Sequence, residues 1–174
     1  MCWSEVDFEK KLWVIPRERV KNGVAHEVPL SDAVASLLKC LPHIKNRPGL
    51  VFTTTGESAV GGFSRAKDRL DAAVLELMRK DAIARHADSR QIDALIRWTF
   101  YDLRRTCASG MARLGVNLPV IEKILNHTSG SFGGIVGIYQ RHLFSEEKRA
   151  ALETWSRFIM RLVSSESAPG MTPK

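Results

Sequence analysis

Long apolar runs are missing from this chain: nothing approaches the roughly 18 residues that span a bilayer. Cysteine is scarce as well. Cys2, Cys40 and Cys107 are odd in number and widely spaced, so they fit neither a disulfide framework nor a C-x-x-C metal site. Free thiols in a reducing cytoplasm are the expectation. The opening residues Met1-Cys2-Trp3-Ser4-Glu5 contain neither the basic nor the apolar region of a secretory signal. No internal repeat is visible. No cluster of carboxylates suited to Mg²⁺ appears, which agrees with chemistry that needs no metal; no cofactor is expected. Tyrosine is rare too, and a phenolic role can fall only to Tyr101 or Tyr139.

What is there is ordinary in bulk and unusual in charge. The 174 residues, 44% hydrophobic and 26% charged, suit one globular domain with a real core. The net charge of +7, with a pI near 9.6, favours a polyanionic partner, because each Lys or Arg set against a phosphate releases condensed counterions. Basic charge alone is a weak signal until it converges on a chemical site.

Residues 11–30 read as a β-hairpin. Leu12 and Val14 alternate with Trp13 and Ile15, and Asn22-Gly23 between two β-rich runs suggests a type I′ turn with Lys21 at its tip. Ser31 or Asp32 caps a helix through Ala33, Leu37, Leu38 and Leu41 that Pro42 stops. Leu50-Val51-Phe52 suits a short strand. A second helix is expected over 63–80, and residues 81–97 suit helix or loop equally. Thr99 caps the next helix with Asp102 in a capping box, Gly115 ends it, and Asn117 caps a further helix with Pro119 in its first turn. Four glycines then fall between Thr128 and Gly137. Residues 145–163 form the clearest amphipathic helix, followed by a Ser/Pro/Gly-rich tail expected to be disordered. The fold class is therefore α+β: mostly helical, with a small antiparallel sheet near the start.

Four polar groupings could carry chemistry. Each is ordinary alone: a lysine beside Asn-Gly is usually a solvated surface residue, and a lone histidine or tyrosine is usually structural. Tyr101 and Arg104 lie three apart near a helix N-terminus, where dipole, backbone N–H groups and guanidinium favour an anion. Lys21, His127 and Tyr139 complete the set.

Together the groupings resemble one family in order. Trp3-Ser4-Glu5-Val6-Asp7, Lys21-Asn22-Gly23 and His26-Glu27-Val28-Pro29-Leu30 are similar to the start of the catalytic core of tyrosine recombinases of the phage-integrase type. Tyr101-Asp102-Leu103-Arg104-Arg105-Thr106 resembles that family's H-D-L-R-R-T box, Leu125-Asn126-His127 its L-G-H element, and Tyr139-Gln140-Arg141-His142 its nucleophile segment.

The resemblance implies site-specific DNA recombination by metal-free phosphoryl transfer. Tyr139 would attack the scissile phosphate to form a 3′-phosphotyrosyl link and release a 5′-hydroxyl. Arg104 and His127 would stabilise the non-bridging oxygens, and Lys21 would protonate the departing oxygen. Tyr101 replaces the usual His; its phenol can hydrogen-bond a phosphate but is no base at neutral pH, since its unperturbed pKa is about 10. Arg17, Arg19, Arg105, Arg141 and His142 would contact double-stranded DNA.

The resemblance also implies a partial catalytic domain over 1–163 and a tail over 164–174. The family's first catalytic Arg and N-terminal DNA-gripping domain would precede Met1, leaving the fragment weakly active or inactive alone. The C-terminal helix would either pack on its own core or, as a homo-oligomer on DNA, bury Trp155 and Phe158 in a neighbour.

A competing reading is a non-catalytic helix-turn-helix module over Ala108–Leu125, with Gly115-Val116 at the turn. A degenerate recombinase remnant is another.

Overall fold

Alternation of apolar and polar residues in the first thirty positions produces a three-stranded antiparallel sheet. The computed structural model describes residues 1–44, 49–85, 95–127 and 144–166. Strands β1 (Val6–Asp7), β2 (Leu12–Ile15) and β3 (His26–Pro29) lie in chain order. In the β2–β3 register Trp13 faces Val28 and Ile15 faces His26.

The hairpin between β2 and β3 is not the two-residue turn expected. Residues 16–25 intervene, beginning at Pro16 with a single 3₁₀ turn over Arg17–Arg19. Gly23 has φ +66°, but Asn22 does not enter the left-handed region that a type I′ turn requires of both central residues. Lys21 therefore sits exposed in a broad loop.

Five helices are described. Helix α1 (Asp32–Cys40) starts at Ser31, whose hydroxyl accepts from Val34 N. Helix α2 (Phe63–Ala84) runs four residues past its expected end. Trp98 anchors it by donating Nε1–H to Asp71 at 2.9 Å, while Lys67 Nζ lies 4.6 Å from the Trp98 ring centre. Helix α3 (Phe100–Arg113) ends at Gly115, whose φ of +83° reverses the chain. Helix α4 (Leu118–Ile124) follows its Asn117 cap and Pro119. Helix α5 (Ser145–Glu166) extends into the stretch expected as tail; residues 167–174 lie outside the described residues. Leu50 makes only an isolated bridge to Cys2.

Two apolar clusters form the core. Leu30, Ala35, Leu38 and Val51 gather beside the sheet, with Trp3, Phe8 and Trp13 against them. Met111, Val120, Ile121 and Ala151 gather between α3, α4 and α5, with Trp155 against them. Gly110 is buried where α5 crosses α3: a Cβ there would stand 2.1 Å from Trp155 Cζ3. That close approach seats Trp155 in its own core, and Phe158 stacks on it with ring centres 5.5 Å apart. Of the two expectations for this helix, Trp155 follows packing on its own core.

Between the clusters the contacts are polar. Lys148, 5% exposed, donates to the Glu27 carbonyl at 2.9 Å; Arg149 donates to the Lys10 carbonyl, and Glu153 accepts from Asp32 N. Burial pulls the Lys148 ammonium below its ordinary value, against the opposing charge of Glu27.

Candidate active site

At the start of α3, Asp102 accepts from Thr99 N at 2.8 Å and from its hydroxyl at 2.9 Å. The backbone N–H of Thr99 above all holds the Asp102 carboxyl below its usual range. This is the reciprocal half of the capping box, with the N3 carboxylate reaching back to the N-cap residue. Tyr101 stands beside it, 66% exposed. Arg105 is exposed and pairs with Asp102 at 3.3 Å.

Arg104 of α3 donates to the carbonyl of Leu125, at the exit of α4. The last carbonyls of a helix have no partner within it and carry the negative end of its dipole, so a guanidinium there is well placed. One of its five N–H donors serves this bond.

Around the same exit, His26 Nε2 lies 3.1 Å from the Ile124 carbonyl. A carbonyl only accepts, so the ring carries its proton on Nε2 toward Ile124. Burial lowers the His26 pKa below 6.5; the Ile124 bond opposes this, and Lys148 and Arg104 reinforce it. Asn22 donates to the Asn126 side chain at 3.3 Å, which brings the loop carrying Lys21 to the turn carrying His127.

Asn126 itself has φ +53°. Glycine adopts that conformation freely, and asparagine tolerates it better than most residues. This explains physically how Leu125-Asn126-His127 can stand where an L-G-H element is the pattern. His127 then folds back onto α4: its N–H donates to the Glu122 carbonyl at 3.0 Å, and its Nδ1 lies 2.9 Å from Glu122 Oε2. The carboxylate requires a proton on Nδ1, which leaves Nε2 as the ring nitrogen not engaged by Glu122.

Arg104, His127 and the Lys21 loop are thus brought together at one helix exit. Arg17 pairs with Glu18 on the surface. Arg19 is engaged by Glu5 at 3.1 Å. Burial works against the Glu5 charge, but bonds from Cys2 N and Trp13 and the charge of Arg19 hold its carboxyl below the ordinary value. Tyr139, Arg141 and His142 lie outside the described residues. No group of three or more His, Cys, Asp or Glu gathers as a metal site among the described residues. No helix among them is long and apolar enough to cross a membrane.

Glu122 and Lys148 are absent from the sequence analysis, and His26 enters it only within the segment His26–Leu30, with no role of its own. Only Glu122 has its partner nearby, five residues before His127; the partners of His26 and Lys148 lie about a hundred residues away.

The phage integrase family matches residues 1–146, and the chain belongs to that family. Among curated proteins it is similar to the prophage integrase IntS of Escherichia coli strain K12, 25% identical over 159 residues. That match covers 91% of this chain but 36% of the relative, so the chain spans about a third of its length. No solved structure matches.

Proposed function

We propose that this chain carries the cleavage-and-rejoining residues of a tyrosine recombinase acting on double-stranded DNA, without a metal ion, over residues 1–163. Tyr139 attacks the scissile phosphate, forms a 3′-phosphotyrosyl ester and releases a 5′-hydroxyl; the ester keeps the energy needed for rejoining. Arg104 and His127 stabilise the charge that grows on the non-bridging oxygens. Lys21 gives its proton to the departing 5′ oxygen. Tyr101 donates a hydrogen bond to the phosphate. Arg17, Arg105, Arg141 and His142 meet the DNA backbone, and Arg19 reaches it only by leaving Glu5. On DNA the protein works as a homo-oligomer through α5, in the cytoplasm.

The observation that carries this reading is the convergence at the exit of α4, where Arg104 binds Leu125 and Asn22 binds Asn126. A helix-turn-helix binder needs no such convergence, although α3 and α4 do join through a turn at Gly115.

The test uses a longer protein that joins this chain to the upstream coding sequence, with supercoiled plasmid and a tiled set of nicked duplexes from the DNA flanking the gene, EDTA being present. A nick lets the released 5′-hydroxyl strand diffuse away and traps the covalent intermediate. The expected result is a detergent-resistant protein–DNA adduct that Tyr139→Phe abolishes while DNA binding persists. Arg104→Ala should slow adduct formation by on the order of 10²–10³, the usual cost of one preorganised donor. Tight binding with no adduct from the unmodified protein would favour the simple binder.

A further inference from the structure

Three successive residues at the exit of α4 are each held by a donor from elsewhere in the chain. The Ile124 carbonyl receives His26, the Leu125 carbonyl receives Arg104, and the Asn126 side chain receives Asn22. Two of these donors, Asn22 and His26, belong to the Lys21 loop and to the strand into which that loop runs. His26 is the half-buried one, set where β3, α3, α4 and α5 meet, with Glu27, Arg104 and Lys148 as its charged neighbours. The chemistry proposed above does not use it.

We propose that His26 is a positioning residue: by donating Nε2–H to the Ile124 carbonyl, it fixes the turn that carries His127 against the sheet edge that carries the Lys21 loop. This rests on the recombinase reading. Lys21 and His127 act on the same phosphate from two separate parts of the fold, and their mutual distance is set by whatever joins those parts. Asn22–Asn126 is an exposed bond that water competes for; His26–Ile124 is the shielded one. A misplacement of about 1 Å between reacting groups can cost on the order of a hundredfold in rate.

Three forms of the longer protein decide the matter: unmodified, His26→Phe, which keeps a ring without a donor, and His26→Gln, whose side-chain N–H can reach the same carbonyl. In the nicked-duplex assay, His26→Phe should lower the rate of adduct formation roughly 10–100-fold while the DNA dissociation constant stays within about twofold. His26→Gln should restore most of the rate. An adduct rate unchanged in His26→Phe, or lowered equally in His26→Gln, overturns the positioning role and leaves the recombinase reading standing. No adduct from the otherwise unmodified longer protein overturns that reading, and this inference with it.

A second measurement needs neither variant to fold. Imidazole ¹⁵N spectra of the unmodified protein between pH 6 and 8 should show the neutral His26 ring protonated on Nε2. A ring protonated on Nδ1 could not donate to Ile124, and would overturn the proposal whatever the assay gives.

Discussion

His26 shows how much a single side chain can report about its surroundings. Its ring is harder to protonate in the folded protein, first because it is buried and then because Lys148 and Arg104 stand near. In the unfolded chain the same ring takes up a proton near pH 6.5. Between that pH and the lower folded value, the unfolded state binds more protons, so stability must fall as the solution is acidified through this window. His26→Gln has nothing to titrate. Thermal melts from pH 7.5 to 5.5 should therefore show the unmodified protein losing more Tm than His26→Gln, and parallel losses would show that the ring is not shielded. Asn126 is the complementary case, a residue chosen for its backbone. Its φ of +53° is reached more easily by Asn and Gly than by a branched residue, which narrows what can precede His127.

Among the elements, the helices were the most readable part of the sequence. Thr99 with Asp102, Asn117 with Pro119, and Gly115 after Arg113 are local devices, complete within four or five residues, and the structure places them where the spacing suggests. The hairpin was misjudged because Asn22-Gly23 matches a tight turn only if the strands run up to it, and Pro16 stops β2 well before. Strand β1 has two residues, too few to show a period. In the candidate site, Arg104, His127 and Lys21 were legible because motifs name residue types in order. His26 and Lys148 were not, because their partners come from the far end of the chain. The crossing of α3 and α5 gives a further test at this scale. Gly110→Ala would gain about 1 kcal/mol in helix propensity. Its new Cβ, however, would stand 2.1 Å from Trp155 Cζ3, and overpacking of that kind costs about 1–3 kcal/mol. A net loss of stability is expected in chemical denaturation, and Trp155→Phe in the same background should recover part of it. A Gly110→Ala protein more stable than its parent would mean that the two helices do not approach so closely.

At the scale of the molecule, the apolar core is divided in two and the division is bridged by polar contacts. Trp3 and Trp13 report on the cluster beside the sheet and Trp155 on the cluster among the helices. Cooperative unfolding depends on the coupling between such units, and a few hydrogen bonds couple more weakly than shared apolar burial. Proteins retaining only Trp13 or only Trp155 should therefore give urea curves with separated midpoints; superimposable curves would show that the bridge is as strong as either cluster. The helix that closes the chain makes much of this bridge through Lys148, Arg149 and Glu153, while its apolar face rests on α3 and α4. Its attachment is thus made of surface rather than of sequence connectivity. The expected consequence is that a peptide of residues 144–166, supplied separately, binds a chain that stops short of it; no binding would show that covalent linkage is needed to seat the helix.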